Sequence, residues 1–378
     1  MKNVLVFFGG KSCEHDISII TGVLAVNSID KQLFNAIPVY VDKNGEWFSG
    51  DCLKDIEWYK DKDVNKSKLN KVSFISGSDV LYAVTKNKIK PLYKIAVALN
   101  CMHGVNGEDG SLSGLMKLHN IPFSSPDIFA SSFAIDKDFT KIVLSGLNVD
   151  KLPYVRIFKN SYYLKKQSVV KMIEKKFGYP VIIKPSTLGS SIGIAVAKTG
   201  ESLQNCLDNA FKYDEKVIVE KALENFKEIN CAAYRDNDKI IVSECEEPIT
   251  SSEILSFKDK YLGSKGGSVK KFPAEIPESI RSKIRSITEK IYRKADFNGV
   301  IRIDYILSNN RIYLNEVNTV PGSLAYYLFS DTIKGFTDML TKILNDGISK
   351  HVRYMTRDFS YNSVVLKDIK GAKGGKSR

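Results

Sequence analysis

GVIRIDYILSNNRIYLNEVNTVPG, residues 299–322, reads as a β-hairpin: two runs rich in Ile, Val, Leu and Tyr flank Ser308-Asn309-Asn310. Side chains alternate faces along a strand, so Val300, Arg302, Asp304 and Ile306 share one side of the first run. On the second run Ile312, Leu314, Glu316 and Asn318 share a side. A turn centred near Asn309 sets Arg302 opposite Glu316, with Asp304 diagonal to it. One face is then apolar toward the turn and carries Arg, Asp, Glu and Asn toward the open end. Two carboxylates and an amide oxygen are hard donors of the kind Mg²⁺ and Mn²⁺ take; with no Cys or His among them the set does not suit zinc. A plain surface hairpin with a charged pair has the same composition. What separates this one is its continuation into Asn318-Thr319-Val320-Pro321-Gly322, a rigid turn beside the acids.

Working outward, 378 residues leave room for two or three cores. No run approaches the roughly 18 apolar residues of a membrane helix, so no membrane partner is expected. The amino terminus MKNVLVFFGG continues into polar KSCEHD without a small-residue cleavage site, and reads as a first strand instead of a signal peptide. Cys13, Cys52, Cys101, Cys206, Cys231 and Cys245 are scattered, with no C-x-x-C, which fits a reducing cytoplasm. The net charge of +13 is diffuse and ends in the lysine-rich tail LKDIKGAKGGKSR. It could attract anionic substrates such as ATP. No nucleic-acid-binding motif accompanies it, so no nucleic-acid partner is expected.

Residues 1–124 alternate β and α: a strand at 3–8, a helix at 17–29, a strand at 35–41 and another at 92–99. Gly10-Lys11-Ser12 invites comparison with a Walker A loop, but Leu5 stands where that pattern needs its first Gly. The second strand-end loop, residues 100–110, is glycine-rich and polar, at the carboxyl end where open α/β sheets place ligands. Between Gly50 and Thr85 the pattern predicts a loop or an inserted hairpin. Residues 125–216 form a second unit: one helix over 127–144, a strand at 153–158, a helix at 168–177 and a strand at 179–184. That last strand leads into Lys184-Pro185-Ser186-Thr187-Leu188-Gly189-Ser190-Ser191-Ile192-Gly193, a small-residue loop whose amides can wrap phosphates. Residues 217–350 form a third unit, with strands at 217–220, 228–235 and 239–244, a polar loop at 250–272, a helix at 277–294, the hairpin, and a closing helix at 332–345. Residues 351–378 are a basic carboxyl-terminal extension.

With FFGGKSCEHDIS (7–18), HGVNGEDG (103–110), AIDKDFTK (134–141), IIKPSTLGSSIG (182–193), VIVEK (217–221), FKDKY (257–261) and the hairpin in register, the sequence resembles the D-alanine–D-alanine ligase family of ATP-grasp enzymes. The resemblance implies a three-domain α/β ATP-grasp fold with a parallel amino-terminal sheet, and ATP held between the second and third domains. It implies the ATP-dependent joining of two D-alanines through an acyl phosphate for peptidoglycan synthesis, in a cytoplasmic homodimer. A sister ligase with D-serine or D-lactate as second substrate is the alternative.

Carried over residue by residue, the resemblance makes Lys137 and Lys184 the phosphate-gripping lysines, with Lys260 and the Ser190-Ser191 loop as further phosphate contacts. Glu220, Lys221 and Leu223 match the segment at the adenine, and Glu228 the ribose contact. Asp304, Glu316 and Asn318 match the ligands of two Mg²⁺ (or Mn²⁺) ions. Arg302 and the Gly322 amide are placed to meet developing negative charge. Glu14 matches the carboxylate that holds the first D-alanine's ammonium, with Ser190 and Tyr261 as its hydrogen-bonded partners. Ser18 and His103 match residues near the first substrate, and Tyr327 and Leu328 the site of the second. Tyr327 departs from the family, where a serine commonly stands. Residues 250–272 match a lid that excludes water.

Overall fold

In the computed structural model residues 1–60, 66–249 and 270–360 are described. The amino-terminal sheet is built from β1 (Lys2–Gly9), β2 (Phe34–Val41), β3 (Trp47–Ser49), β4 (Asn70–Phe74), β5 (Val80–Val84), β6 (Ile89–Lys94) and β7 (Val97–Asn100), in the order β6-β5-β4-β3-β2-β1-β7. Only β2, β1 and β7 run parallel; β3 to β6 extend the sheet as an antiparallel ladder. The single strand expected at 92–99 is therefore two strands on opposite edges. β6 is exposed along most of its length, whereas β7 is wholly buried beside β1. An apolar run interrupted only by Lys94 does not reveal that its two halves serve different edges.

β1 is buried from Val4 onward on both faces, as parallel strands between layers are. Val4, Val6 and Phe8 pack under the helix His15–Ser28 and against the carboxyl-terminal helix Ile333–Met355. Leu5 and Phe7 pack on the other side, with Leu112 and Met116 of the helix Ser111–Leu118. The carboxyl-terminal helix runs ten residues past the expected boundary at 345 and into the expected extension.

The second sheet orders β8 (Tyr154–Phe158), β9 (Val181–Pro185), β10 (Ala195–Ala197) and β11 (Lys216–Lys221) as β10-β9-β11-β8. Helices at Lys159–Leu164, Lys166–Phe177 and Gly200–Ala210 accompany it, the last with a Thr199–Ser202 capping box. The third sheet orders β12 (Lys227–Asp236), β13 (Lys239–Val242), β16 (Val300–Ser308) and β17 (Arg311–Asn318) as β13-β12-β16-β17, backed by the helix Glu278–Lys294. A two-stranded ribbon, β14 (Glu247–Pro248) with β15 (Lys270–Lys271), stands beside it.

The helix expected over 127–144 is broken. Ile128–Ile135 and Lys137–Val143 are separated by Asp136, whose backbone is extended and whose side-chain Oδ1 caps the second helix by accepting from Asp138 N (3.0 Å) and Phe139 N (3.2 Å). Chain order assigns these helices to the second unit, yet Ala130, Phe133, Ala134 and Leu144 join the core of the third sheet.

Candidate functional site

The hairpin closes on Asn309-Asn310, both left-handed, between the paired Ser308 and Arg311. Its register differs from expectation. Asp304 stands opposite Glu316 and Arg302 opposite Asn318, with a bulge where the ladder steps from Tyr305–Leu314 to Asp304–Glu316. A regular ladder from the Ser308–Arg311 pair would set Asn315 against Asp304 and turn Glu316 into the core. The extra residue reverses that, so Ile312 and Leu314 enter the core while Glu316 and Asn318 take the face of Arg302 and Asp304. The single shared face expected for all four second-strand residues is thereby corrected. Strand alternation alone could not reveal a bulge.

On that face Arg302 grips Asp304 bidentately, Nε to Oδ1 at 2.7 Å and Nη2 to Oδ2 at 2.8 Å. Asn318 Nδ2 donates to the same Oδ2 at 3.1 Å. Glu316 pairs with Lys137 at 3.1 Å. The bulged Asn315 accepts from Lys184 at 2.9 Å. Lys184 also pairs with Glu220 at 2.7 Å, and Lys141 meets the other oxygen of Glu220 at 2.8 Å. Burial alone would raise the Glu220 carboxyl, but the two lysines hold it well below the usual carboxylate range. Burial pulls the Lys141 ammonium below its ordinary value.

The amino-terminal sheet brings its own loops to this face. Gly9 turns at φ +88°, where a Cβ would stand 2.2 Å from Val41 O, and the chain reaches Glu14 at the start of its helix. The Glu14 side chain does not cap that helix; it accepts from Ser190 Oγ, in the small-residue loop between β9 and β10. Ser190 and Ser191 are held at φ 50° and 59°, which costs free energy for residues with a Cβ and marks an over-determined loop. Glu108, on the loop after β7, accepts from Gly104 N (2.9 Å), Thr319 N (3.1 Å) and Val320 N (2.9 Å). It ties the two loops together. Burial and the neighbouring Glu14 charge raise its carboxyl above the usual range.

His103 is buried, with Nε2 3.0 Å from Thr21 Oγ1, which itself accepts from Ser323 N at 3.1 Å. A hydroxyl has one proton and two lone pairs, so the imidazole tautomer decides which of Thr21 and His103 donates in this pair. Burial and the Arg302 charge push the imidazole down to about 4, so it is neutral at pH 7. After Pro321-Gly322 the chain takes three left-handed residues in a row, Ser323, Leu324 and Ala325 at φ 50°, 51° and 51°. This turn delivers Tyr327, whose hydroxyl lies 3.4 Å from Arg302 Nη1.

Two clefts result. One, of about 790 Å³, lies between the second and third sheets and is lined by Lys184, Glu220, Lys221, Leu223 and Glu228 with apolar Leu152, Ile182, Val196, Phe226 and Ile306. The other, of about 380 Å³, gathers Glu14, His103, Ser190, Arg302, Asp304, Glu316, Asn318, Gly322 and Tyr327. Glu228 and Pro248 line both.

Residues 3–126 match the family model described as the D-ala D-ala ligase N-terminus, and residues 143–345 that described as the D-ala D-ala ligase C-terminus. The chain belongs to the D-ala–D-ala ligase family. It is 35% identical over 361 residues to the D-alanine–D-alanine ligase of Thermosipho melanesiensis, covering 93% of this chain and 94% of that protein. The solved D-alanine-D-alanine ligase of Coxiella burnetii shares the fold with a TM-score of 0.79 at 21% identity, over 94% of this chain and 96% of that one. The VanG D-Ala:D-Ser ligase of Enterococcus faecalis is also similar, with a TM-score of 0.75 at 27% identity over 92% of this chain and 99% of that one.

Not every residue expected at the family's site lines a cleft. Ser18 lies beneath it, accepting from Gly9 N (2.8 Å) and donating to Cys101 O (2.7 Å), and so pins β1 and β7 to the first helix. Leu328 packs on Ala232 and Ala325. Lys137 and Ser191 line neither cleft, though Lys137 pairs with Glu316, which does. Lys260 and Tyr261, and residues 250–269 of the expected lid, fall outside the described residues. Conversely, sequence reasoning misses Glu108, Lys141, Asn315, Glu246 and Lys270. Lys141 carries a readable signal, since it lies four residues after Lys137 on one helix face. Glu108 sits in a glycine-rich loop at a strand end. Asn315 gives none.

Proposed function

We infer that the chain is an ATP-dependent ligase that joins two D-alanine molecules to D-alanyl-D-alanine for peptidoglycan precursor synthesis, releasing ADP and phosphate by way of a D-alanyl phosphate. The observation that carries this is the meeting of a nucleotide-sized cleft with a smaller, acid-lined one at Glu228. Family membership supports the reaction.

In this reading Lys221 and Leu223 meet the adenine and Glu228 the ribose, while Lys184 and Lys137 draw the γ-phosphate toward the hairpin. Glu14, oriented by Ser190, holds the ammonium of the first D-alanine so that its carboxylate faces the nucleotide. Neutral His103 packs beside that substrate without adding charge. Arg302, fixed by Asp304 and Tyr327, takes up negative charge on the acyl phosphate and on the tetrahedral oxygen that forms when the second amine attacks. The Gly322 amide assists it.

Asp304, Glu316 and Asn318 fit Mg²⁺ or Mn²⁺: they offer hard oxygens side by side, and the carboxylates already sit against the Arg302 and Lys137 cations. Among the described residues no three or more His, Cys, Asp or Glu gather into a group that could hold a metal ion, so this reading calls on the Asn318 amide oxygen beside the two carboxylates. Two ions bound there would neutralise charge on the transferring phosphoryl group. The dispersed thiols accord with a cytoplasmic enzyme, and no described helix is long and apolar enough to cross a membrane. The family resemblance supports a homodimer.

The test is ADP release with ATP, Mg²⁺ and a panel of D-alanine, D-serine and D-lactate, with product masses determined. D-alanine-dependent release giving the D-alanyl-D-alanine mass is expected. Release only with another second substrate would keep the chemistry and change the product, and no turnover with any would overturn the reading.

A further inference from the structure

Lys137, the first residue of the helix Lys137–Val143, touches two other parts of the site at once. Its backbone N–H donates to Ser186 O at 2.8 Å, where the small-residue loop leaves β9. Its ammonium donates to Leu188 O at 2.6 Å inside that loop and pairs with Glu316 on the hairpin. On the reading above, this lysine and this loop grip the same phosphates. Their relative position therefore has to be fixed by something outside the cleft.

A buried joint behind the cleft does this. Asp136, the cap of that helix, accepts from Ser186 Oγ through Oδ1 at 2.6 Å and from Lys216 Nζ through Oδ2 at 2.6 Å. Lys216 opens β11, and its carbonyl accepts from Ser186 N at 3.0 Å, so the lysine stands beside the start of the loop. Its ammonium also lies 3.3 Å from Asp138 Oδ2 and 4.4 Å from the centre of the Phe139 ring. The Tyr154 hydroxyl donates to the other Asp138 oxygen at 2.8 Å. Burial alone would raise the Asp136 carboxyl, but hydrogen bonds from Lys216, Ser186 and the helix amide hold it below its ordinary value. Lys216, Asp138 and Ser186 are buried, and Lys216 lines neither cleft.

The joint also crosses between the two halves of the larger cleft. Lys216 and Ser186 extend strands of the second sheet, whereas Phe133, Ala134 and Leu144, on either side of the Asp136 cap, pack in the core of the third. One ammonium thus ties the frame of the loop to the frame of the Lys137 helix. Without it, Asp136 and Asp138 would keep their charges beside each other with less to offset them, and the helix start would drift from the loop. We propose that Lys216 is a positioning residue for the phosphates of the nucleotide: it clamps Asp136 against Ser186, so that Lys137 and the Ser190-Ser191 loop meet them together. This rests on the ligase reading above. Lys221, Leu223 and Glu228, which that reading sets at adenine and ribose, lie at the far end of β11 or beyond it and outside the joint.

The experiment measures, by calorimetry on the full-length enzyme, the binding of ATP with Mg²⁺ and the binding of adenosine. Adenosine has no phosphates, so lost phosphate positioning leaves it untouched, whereas a general loosening of the fold weakens both ligands. Lys216→Met should weaken ATP binding on the order of 10- to 100-fold, the size of a lost hydrogen bond to a charged group, and leave adenosine within about twofold of wild type. Lys216→Arg should keep ATP binding within about threefold of wild type. Ser186→Ala, which keeps every charge in the joint, should weaken ATP alone by about threefold to tenfold. ATP binding by Lys216→Met within about twofold of wild type, or equal losses for ATP and adenosine, would overturn the assignment and leave the ligase reading intact. Should that variant not fold, the same two outcomes in Ser186→Ala overturn it. A wild-type enzyme that binds ATP no more tightly than adenosine would overturn both.

Discussion

Asp304 and Glu316 face one another across the hairpin because the ladder bulges between Tyr305–Leu314 and Asp304–Glu316. The bulge sends neighbouring residues to different partners, Asn315 to Lys184 in the larger cleft and Glu316 to Lys137 at the proposed metal-binding face. Substitutions at the two positions should therefore separate. Glu316→Gln removes a charged hard donor and should raise the Mg²⁺ concentration for half-maximal rate at least tenfold. Asn315→Ala should leave that requirement within about twofold and raise the KM for ATP several-fold, by loosening Lys184. Rate measurements over a Mg²⁺ series and an ATP series decide it; equal metal dependence in all three proteins would remove the hairpin as the metal site.

Arg302→Ala should fold and bind ATP like wild type while kcat falls on the order of 10²- to 10³-fold, because the lost interaction belongs mainly to charge that develops during reaction. Calorimetric ATP binding alongside steady-state rates checks both halves. A variant turning over within threefold of wild type would take Arg302 out of the chemistry.

The side chains that the proposed chemistry needs were largely legible because they are residue types close in sequence. Asp304, Glu316, Asn318 and the Pro321-Gly322 turn lie within twenty residues, and the ladder sets Asp304 against Glu316 with Asn318 on the same face. What hid was geometry that carries no compositional mark. The bulge at Asn315, the Asp136 cap that splits one apolar helix into two, and the left-handed run Ser323-Leu324-Ala325 are each fixed by distant contacts. Ser323 N, for example, is held by Thr21 of the first helix. The Leu92–Leu99 run misled for a related reason: hydrophobicity records that a segment is buried, not which edge of the sheet buries it. Ser18 shows the reverse error, since a hydroxyl inside a functional motif can serve to pin strands.

On the proposed function, the Lys141–Glu220–Lys184 chain links stability to nucleotide binding. Lys141 is buried, and its removal leaves a buried carboxylate with Lys184 as its remaining ion-pair partner. Lys141→Met should destabilise the protein by about 3 kcal/mol. It should also raise the KM for ATP, as Lys184 is drawn toward Glu220 and away from the phosphates. Urea unfolding and ATP titrations test the two effects. A loss below about 1 kcal/mol would mean that Lys184 alone satisfies Glu220, because breaking a buried pair outright costs more than that.

His103 should make the folded state acid-sensitive in a defined window. Its imidazole is held down to about 4 by burial and by Arg302, against roughly 6.5 in an unfolded chain. Between those values the unfolded chain takes up a proton that the folded protein refuses, so stability falls as pH drops from about 6.5 toward 4, by on the order of 3 kcal/mol in full. Glu108 acts in the opposite sense: its raised carboxyl lets the folded protein bind a proton earlier than the unfolded chain does, adding stability as pH falls. The net profile of the wild type therefore mixes the two. His103→Gln removes one and keeps the other, so the informative quantity is the difference in unfolding free energy, wild type minus variant, measured from pH 8 to pH 4.5. It should be flat above about pH 7 and decline steadily below 6.5. A difference that stays flat across the whole range would mean that His103 takes up its proton inside the fold, and that the Arg302 guanidinium beside it tolerates a second positive charge.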